Sequence, residues 1–341
     1  MFMVWGTTFD GWHKPAGEFL KDFCNSFGPQ GKRKFDDRFR VVGIVYDDVF
    51  RDILATWKKN GAEVLALGKK FDTSTIERIL EWSQNAPGTD NNFLWTHAAD
   101  VVLYRMFPTI RDAVKVHVAE AMAAELSDLK PGESWSIIGH SLGTIVTHDT
   151  LHAWYTEPLG QAGQLGNALR PKVVTMLANV SRILQTKPEV LSNASTVRPG
   201  EACQFYLNAY HHLDPFTLLR PFKPEMWPDR EKYERGDYRL LTVDHIQQLN
   251  IHDLLHYLRH PDVVTTLFRT LLYQSFISKQ KEEEYKASFK KYNGLSDEQV
   301  VSIRKKLEDI ATGAVGAGED WETVLRVRGA YVDAVTKGRT P

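Results

Sequence analysis

Ser134-Trp135-Ser136-Ile137-Ile138-Gly139-His140-Ser141-Leu142-Gly143-Thr144-Ile145-Val146 decides how this chain is read. Residues 134–138 have the pattern of a buried strand, and residues 144 to about 154 continue as a helix. Between them the chain must reverse within a G-x-S-x-G pattern, Gly139 to Gly143. That pattern alone arises by chance in roughly one chain in ten, so its flanks carry the weight. Strand, tight turn and helix together hold the middle serine in a strained conformation above a sheet edge. Side chains at Gly139 and Gly143 would collide with the adjoining strand and helix. The turn also aims the backbone N–H of Leu142, and the positive end of the following helix, at any negative charge that develops beside Ser141.

Working outward, short apolar runs alternate with longer amphipathic stretches, which predicts an α/β fold with a mostly parallel sheet covered by helices. Strands are expected over 2–5, 39–46, 134–138, 172–178, 204–210 and 238–243. Helices are expected over 100–105 and 111–126, the second carrying Val114, Val118, Ala121, Met122 and Leu126 at helical spacing. Two segments break the rhythm. Residues 154–171 contain Pro158, Gly160, Gly163 and Gly166 and read as a loop or lid. Residues 215–237 combine Pro215, Pro221, Pro224 and Pro228 with Phe216, Phe222 and Trp227, a long apolar stretch of the kind that builds a pocket. From about residue 278 charge density rises, Ser296-Asp297-Glu298-Gln299 reads as a capping box, and 321–335 carries another helical pattern. The chain is therefore expected to hold an α/β unit over 1–277 and a helical extension over 278–341. The extension reads as a solvated packing appendage, a lid or a partner-binding arm.

Composition narrows the function classes. Lys plus Arg number 42 and Asp plus Glu 43, so no basic stripe points to nucleic acid. No run approaches the ~18 apolar residues of a membrane span. Met1-Phe2-Met3-Val4-Trp5-Gly6 is too short and lacks the basic start of a signal peptide, so a cytoplasmic location is expected, with export without a leader as the open alternative. Cys24 and Cys203 allow at most one disulfide, which is no disulfide framework.

The Gly139-His140-Ser141-Leu142-Gly143 stretch in its setting resembles the α/β-hydrolase superfamily, especially its lipase and esterase branch. The resemblance covers roughly residues 1–275. It implies Ser141 as nucleophile, followed in chain order by an acid and a histidine. The predicted strand 204–210 leads into His211-His212-Leu213-Asp214-Pro215, which looks like the family's acid loop and makes Asp214 the candidate, with Asp244 as the alternative. After the next predicted strand come His245, His252, His256 and His260. His252 is the candidate base, because it stands just ahead of a predicted helix and Tyr257-Leu258 and Pro261-Asp262-Val263 match the family's following pattern. His256 and His245 stay open. The oxyanion donors implied are the backbone N–H of Leu142 and, from the loop after the first strand, that of Thr7, with Thr8 next. There Trp5 replaces the family's usual histidine before Gly6.

Other residues read more plainly. His140 is expected to be structural, its side chain turned from the nucleophile. His148 and Asp149 are expected to satisfy each other or neighbouring loops. His211 and His212, or Trp95 and His97, could line a pocket. His252, His256 and His260 are spaced by four and would share a helical face, but they lack an HExxH arrangement, so no metal and no cofactor are expected. The expected activity is hydrolysis of a hydrophobic or lipid-like ester. A thioesterase, amidase, phospholipase or acyltransferase on the same fold stays open, as does a non-catalytic binding protein whose partner contacts 278–341.

Overall fold

The computed structural model describes residues 2–4, 13–28, 34–59, 103–105, 107–156, 170–184, 197–218, 221–222, 227, 237–248, 250–291, 296–315 and 330. In chain order the elements are β1 (Phe2–Val4), α1 (His13–Phe27), β2 (Val42–Ile44), α2 (Asp47–Lys59), α3 (Pro108–Leu126), β3 (Ile137–His140), α4 (Leu142–Thr156), β4 (Val173–Leu177), α5 (Ser181–Leu184), β5 (Phe205–His211), α6 (Pro215–Leu218), β6 (Tyr238–Val243), α7 (Leu254–Leu258), α8 (Pro261–Leu271), α9 (Lys279–Lys291) and α10 (Asp297–Val315). The strands form one sheet in the order β2-β1-β3-β4-β5-β6, and every pair is parallel.

The sheet divides two apolar layers because successive side chains leave a strand on opposite faces. Ile137, Val174, Met176 and Tyr206 join the layer containing Val114, Val118 and Met122 of α3 and Ile145 and Trp154 of α4. Ile138, Val173, Leu177 and Leu207 join the opposite layer, with Leu20 and Phe23 of α1, Leu254 and Tyr257 of α7 and Phe268 of α8. β3 and β4 are buried at every position, as strands covered on both faces must be. The chain is thus an α/β protein with helices on both sides of a parallel sheet.

All six expected strands are present, and two of them, β2 and β3, begin three residues later than their apolar runs. Ahead of β3, the Ser136 hydroxyl accepts from Val173 N (3.2 Å), and a side chain there takes the place of a ladder bond. Ahead of β2, Phe39 N bonds Phe35 O (2.9 Å), so the run begins inside a turn. Most of the expected lid segment 154–171, the pair Trp95 and His97, and most of 321–335 lie outside the described residues.

The charged segment after residue 278 is helical and closely attached. Tyr285 and Phe289 of α9 are buried. Tyr285 packs edge-on to Phe23 and Phe27 of α1, and its hydroxyl donates to Arg259 O (2.7 Å). The expected capping box opens α10: Gln299 N donates to the Ser296 hydroxyl (3.2 Å) and Ser296 N to the Gln299 side chain (2.8 Å).

Candidate active site

Parallel strands put all their carboxyl ends on one edge of the sheet, and the chain order reverses beside β1, which is flanked by β2 and β3. Sheets of this kind open a crevice at such a reversal. Ser141 follows β3, Asp214 follows β5 and His252 follows β6, so all three leave from the same edge.

The turn at Ser141 is tight enough to force a left-handed backbone, φ +52°. That conformation is costly for a residue with a Cβ and persists only where its surroundings hold it. They do so here. Ser141 N donates to Leu177 O (3.1 Å), while its carbonyl accepts from Thr144 N (2.9 Å) and the Thr144 hydroxyl (2.7 Å). That hydroxyl also accepts from Val180 N (3.1 Å), which ties the turn to the end of β4. A Cβ at Gly139 would stand 3.0 Å from Gly143 O, 3.1 Å from the Thr147 hydroxyl and 3.2 Å from the Met176 sulfur, so a side chain there would have to push its neighbours aside by a few tenths of an ångström. Leu142 is the first residue of α4, where a backbone N–H has no carbonyl one turn earlier to bond.

The three side chains meet. His252 Nε2 lies 2.7 Å from the Ser141 hydroxyl, and His252 Nδ1 lies 2.7 Å from Asp214 Oδ2. An ionised Asp214 can only accept, so Nδ1 carries the proton and Nε2 is free to accept from the serine. Ser141 is half-buried, His252 is buried and Asp214 is fully buried, so the chain of bonds opens to solvent at the serine end.

Burial alone would raise the Asp214 pKa. The charge and hydrogen bond of His252, the Tyr257 hydroxyl (2.7 Å from Oδ2) and Phe216 N (3.0 Å from Oδ1) outweigh it and hold the carboxyl below its usual range. Tyr257 remains a donor, because burial and the adjacent Asp214 push its own pKa well up. Tyr257 is a partner that the sequence reading used only as a landmark after the histidine. Its position on α7, five residues past His252, is the signal that could have found it.

His140 has a larger part than the one expected of it. Its Nε2 lies 2.7 Å from the backbone carbonyl of His252, and burial lowers its pKa to about 3. A neutral His140 therefore donates to the base's own backbone. On the other side the Phe216 ring stands 4.4 Å from the His252 ring, centre to centre.

The alternatives fall elsewhere. His256 lies within α7, buried, with Gln247 N directed at its Nε2 (3.4 Å). Asp244 is mostly exposed and stands 3.6 Å from both His245 and His260. His252, His256 and His260 do not share a helical face. His252 precedes the Asp253 cap of α7, α7 ends at Leu258, and His260 is the cap residue of α8. The shared face is not formed because Asp253 caps one short helix and Pro261 starts another. Among the described residues no group of three or more His, Cys, Asp or Glu is placed to hold a metal.

His211 is fully buried. Its Nδ1 accepts from Leu213 N (3.1 Å) and its Nε2 donates to His245 O (3.3 Å), bracing the acid loop. His212 stacks on it. His148 bonds the Tyr206 hydroxyl and Asp149 accepts from Tyr104, both in the core. Phe222 and Trp227, expected in a substrate pocket, are buried against Tyr206 instead, and Trp227 also meets Tyr238. Of the three aromatic residues of 215–237 expected there, Phe216 is the one beside His252. Cys24 and Cys203 are both free and buried, and burial raises the Cys24 thiol to about 11.

Thr7, Thr8 and Gly6 lie outside the described residues. The described end of β1, Val4, pairs with Gly139, two residues before Ser141. No described helix is long and apolar enough to cross a membrane. No protein-family model, curated protein or solved structure matches this chain.

Proposed function

We propose that this protein is a serine hydrolase of the α/β-hydrolase fold that cleaves carboxylic esters through Ser141, His252 and Asp214. The observation that carries this reading is the unbroken line of bonds from a strained serine through an imidazole to a buried carboxylate. In the reaction His252 Nε2 takes the serine proton as the oxygen attacks the ester carbonyl. The tetrahedral oxyanion is held by the Leu142 N–H and by an N–H from the loop after β1, for which Thr7 is the choice. One such donor is worth about 3 kcal/mol. His252 then passes the proton to the leaving alcohol. Water, activated by the same imidazole, releases the acid from Ser141 and restores the enzyme. Asp214 accepts the Nδ1–H throughout and stabilises the imidazolium.

The β1 pairing supports Thr7, since it starts the loop next to the serine turn. The Phe216 ring beside His252 supports a hydrophobic ester. The chemistry needs no cofactor. The test is labelling by a fluorophosphonate probe and turnover of a short p-nitrophenyl ester. Wild type should take one probe per chain at Ser141, and Ser141→Ala should lose both label and turnover. Folded wild type that takes no probe would end the reading.

A further inference from the structure

The helix α10 is amphipathic on one narrow face. Val300, Ile303, Leu307 and Ile310 recur at steps of three and four, the spacing that lines one side of a helix. Leu307 is 2% exposed, whereas Val301, on the other side, is 66% exposed. The face packs on a small apolar cluster made of Leu213, Phe216, Ile246 and Ile251.

Those four residues come from two separate segments, the one running into α6 and the loop after β6, and each carries one member of the proposed triad. Leu213 and Phe216 flank Asp214, and Phe216 both donates its N–H to Asp214 and lays its ring on His252. Ile246 and Ile251 lie on the loop after β6, and Ile251 immediately precedes His252. The acid loop and the base loop thus share one hydrophobic anchor, and α10 closes it. Leu307 is the buried centre of that closure.

We infer that α10 is a positioning element for catalysis, with Leu307 as its positioning residue. It clamps the Asp214 loop against the His252 loop so that the 2.7 Å contacts at the imidazole are held before substrate arrives. Phe216 transmits the clamp, because it touches α10, the acid and the base. The inference rests on the serine-hydrolase reading. It gives the segment after residue 278 a part in the chemistry that neither a solvated appendage nor a partner-binding arm would have.

The test compares Leu307→Ala, the conservative Leu307→Met and the outward-facing Val301→Ala in the full chain. Active sites are titrated with the fluorophosphonate probe, and kcat and KM are measured on p-nitrophenyl butyrate. Per titrated site, Leu307→Ala should lower kcat by about 10- to 100-fold with KM changed by less than about twofold, as expected when reacting groups lose alignment. Leu307→Met should recover kcat to within about threefold, and Val301→Ala should match wild type. A merely structural leucine would reduce the number of titratable sites and leave kcat per site alone. Should Leu307→Ala fail to fold, Ile303→Ala at the rim of the same cluster is read in the same way. Undiminished kcat per site in the variants that fold overturns the inference alone. Wild type that takes no probe overturns the hydrolase reading and this inference with it.

Discussion

Replacing Tyr257 by Phe removes one hydroxyl and leaves the ring. That hydroxyl donates to Asp214 Oδ2 (2.7 Å) and accepts from His211 N (3.1 Å). All three residues are fully buried, so water cannot replace either bond. A hydrogen bond to a charged group is worth about 1.5–3 kcal/mol, and a buried N–H left unpaired costs about 1–3 kcal/mol. The low ends already sum to about 2.5 kcal/mol, which for a protein of this size lowers the melting temperature by about 3 °C or more. Asp214 would keep His252 and Phe216 N, so the triad should survive in weakened form. The charge on Asp214 would be less well stabilised, and kcat should fall by about tenfold, far less than the ~10⁴ that follows loss of a triad acid. Thermal melts followed by circular dichroism and turnover of p-nitrophenyl butyrate read the two effects. A variant that melts within a degree of wild type and turns over at the same rate would refute the account of Asp214 as a carboxylate held charged by Tyr257.

Two further outcomes follow from burial and close approach. Burial lowers His140, His148 and His256 to about 3 and His211 to about 4, from an ordinary value of 6.5. A histidine with a depressed folded pKa contributes full stability above the unfolded value, and that stability drains away as pH falls below it. From pH 7 to pH 5 each contributes a loss of about 2 kcal/mol, about 8 kcal/mol for the four, so the urea midpoint should drop steeply across that window. A midpoint unchanged from pH 8 to pH 5 would show that these rings are not held neutral by burial. Gly139→Ala places a methyl 3.0 Å from Gly143 O and should cost about 1–3 kcal/mol in urea unfolding, with slower labelling of Ser141. An unaltered labelling rate would mean that the turn tolerates the methyl.

The fold was legible because the code for it is local. β3 and β4 are compact apolar or β-branched runs, and the stretches between strands are long enough for helices, so alternation points to a parallel α/β sheet. Gly139 ahead of Ser141 was legible for the same reason: a turn with so little room leaves its mark within a few residues. His252 was reached by order along the chain and by the helix start at Asp253, which caps α7 through Leu255 N and His256 N. What was not legible is what the chain decides at long range. His140 bonding His252 O spans 112 residues, and no local pattern encodes it. Phe222 and Trp227 look like pocket residues in a proline-rich stretch, but Tyr206 and Tyr238 offer them a buried aromatic stack. Apolar character fixes that such rings leave water and says nothing about which apolar surface receives them.

The parts of the proposed triad differ in how they are fixed, and the difference says where function is most easily lost. Ser141 is held by its own turn, through backbone bonds to Leu177 and Thr144 within one sheet edge. Asp214 is held by charge-assisted bonds in a sealed site. His252 shares the charge-assisted bond to Asp214, but it precedes a five-residue helix and its ring spans the gap between the other two. Its placement is borrowed from His140 beneath its backbone, Phe216 against its ring and Ile251 anchored under α10. Those three supports come from the nucleophile turn, the acid loop and the loop after β6, and α10 joins the last two. A base that must swing a proton between two oxygens gains from supports that fix where it sits while leaving the exchanged hydrogen bonds free. It follows that substitutions around His252 should lower turnover well before they lower stability, whereas substitutions around Asp214, where the bonds are buried and charged, should do both together.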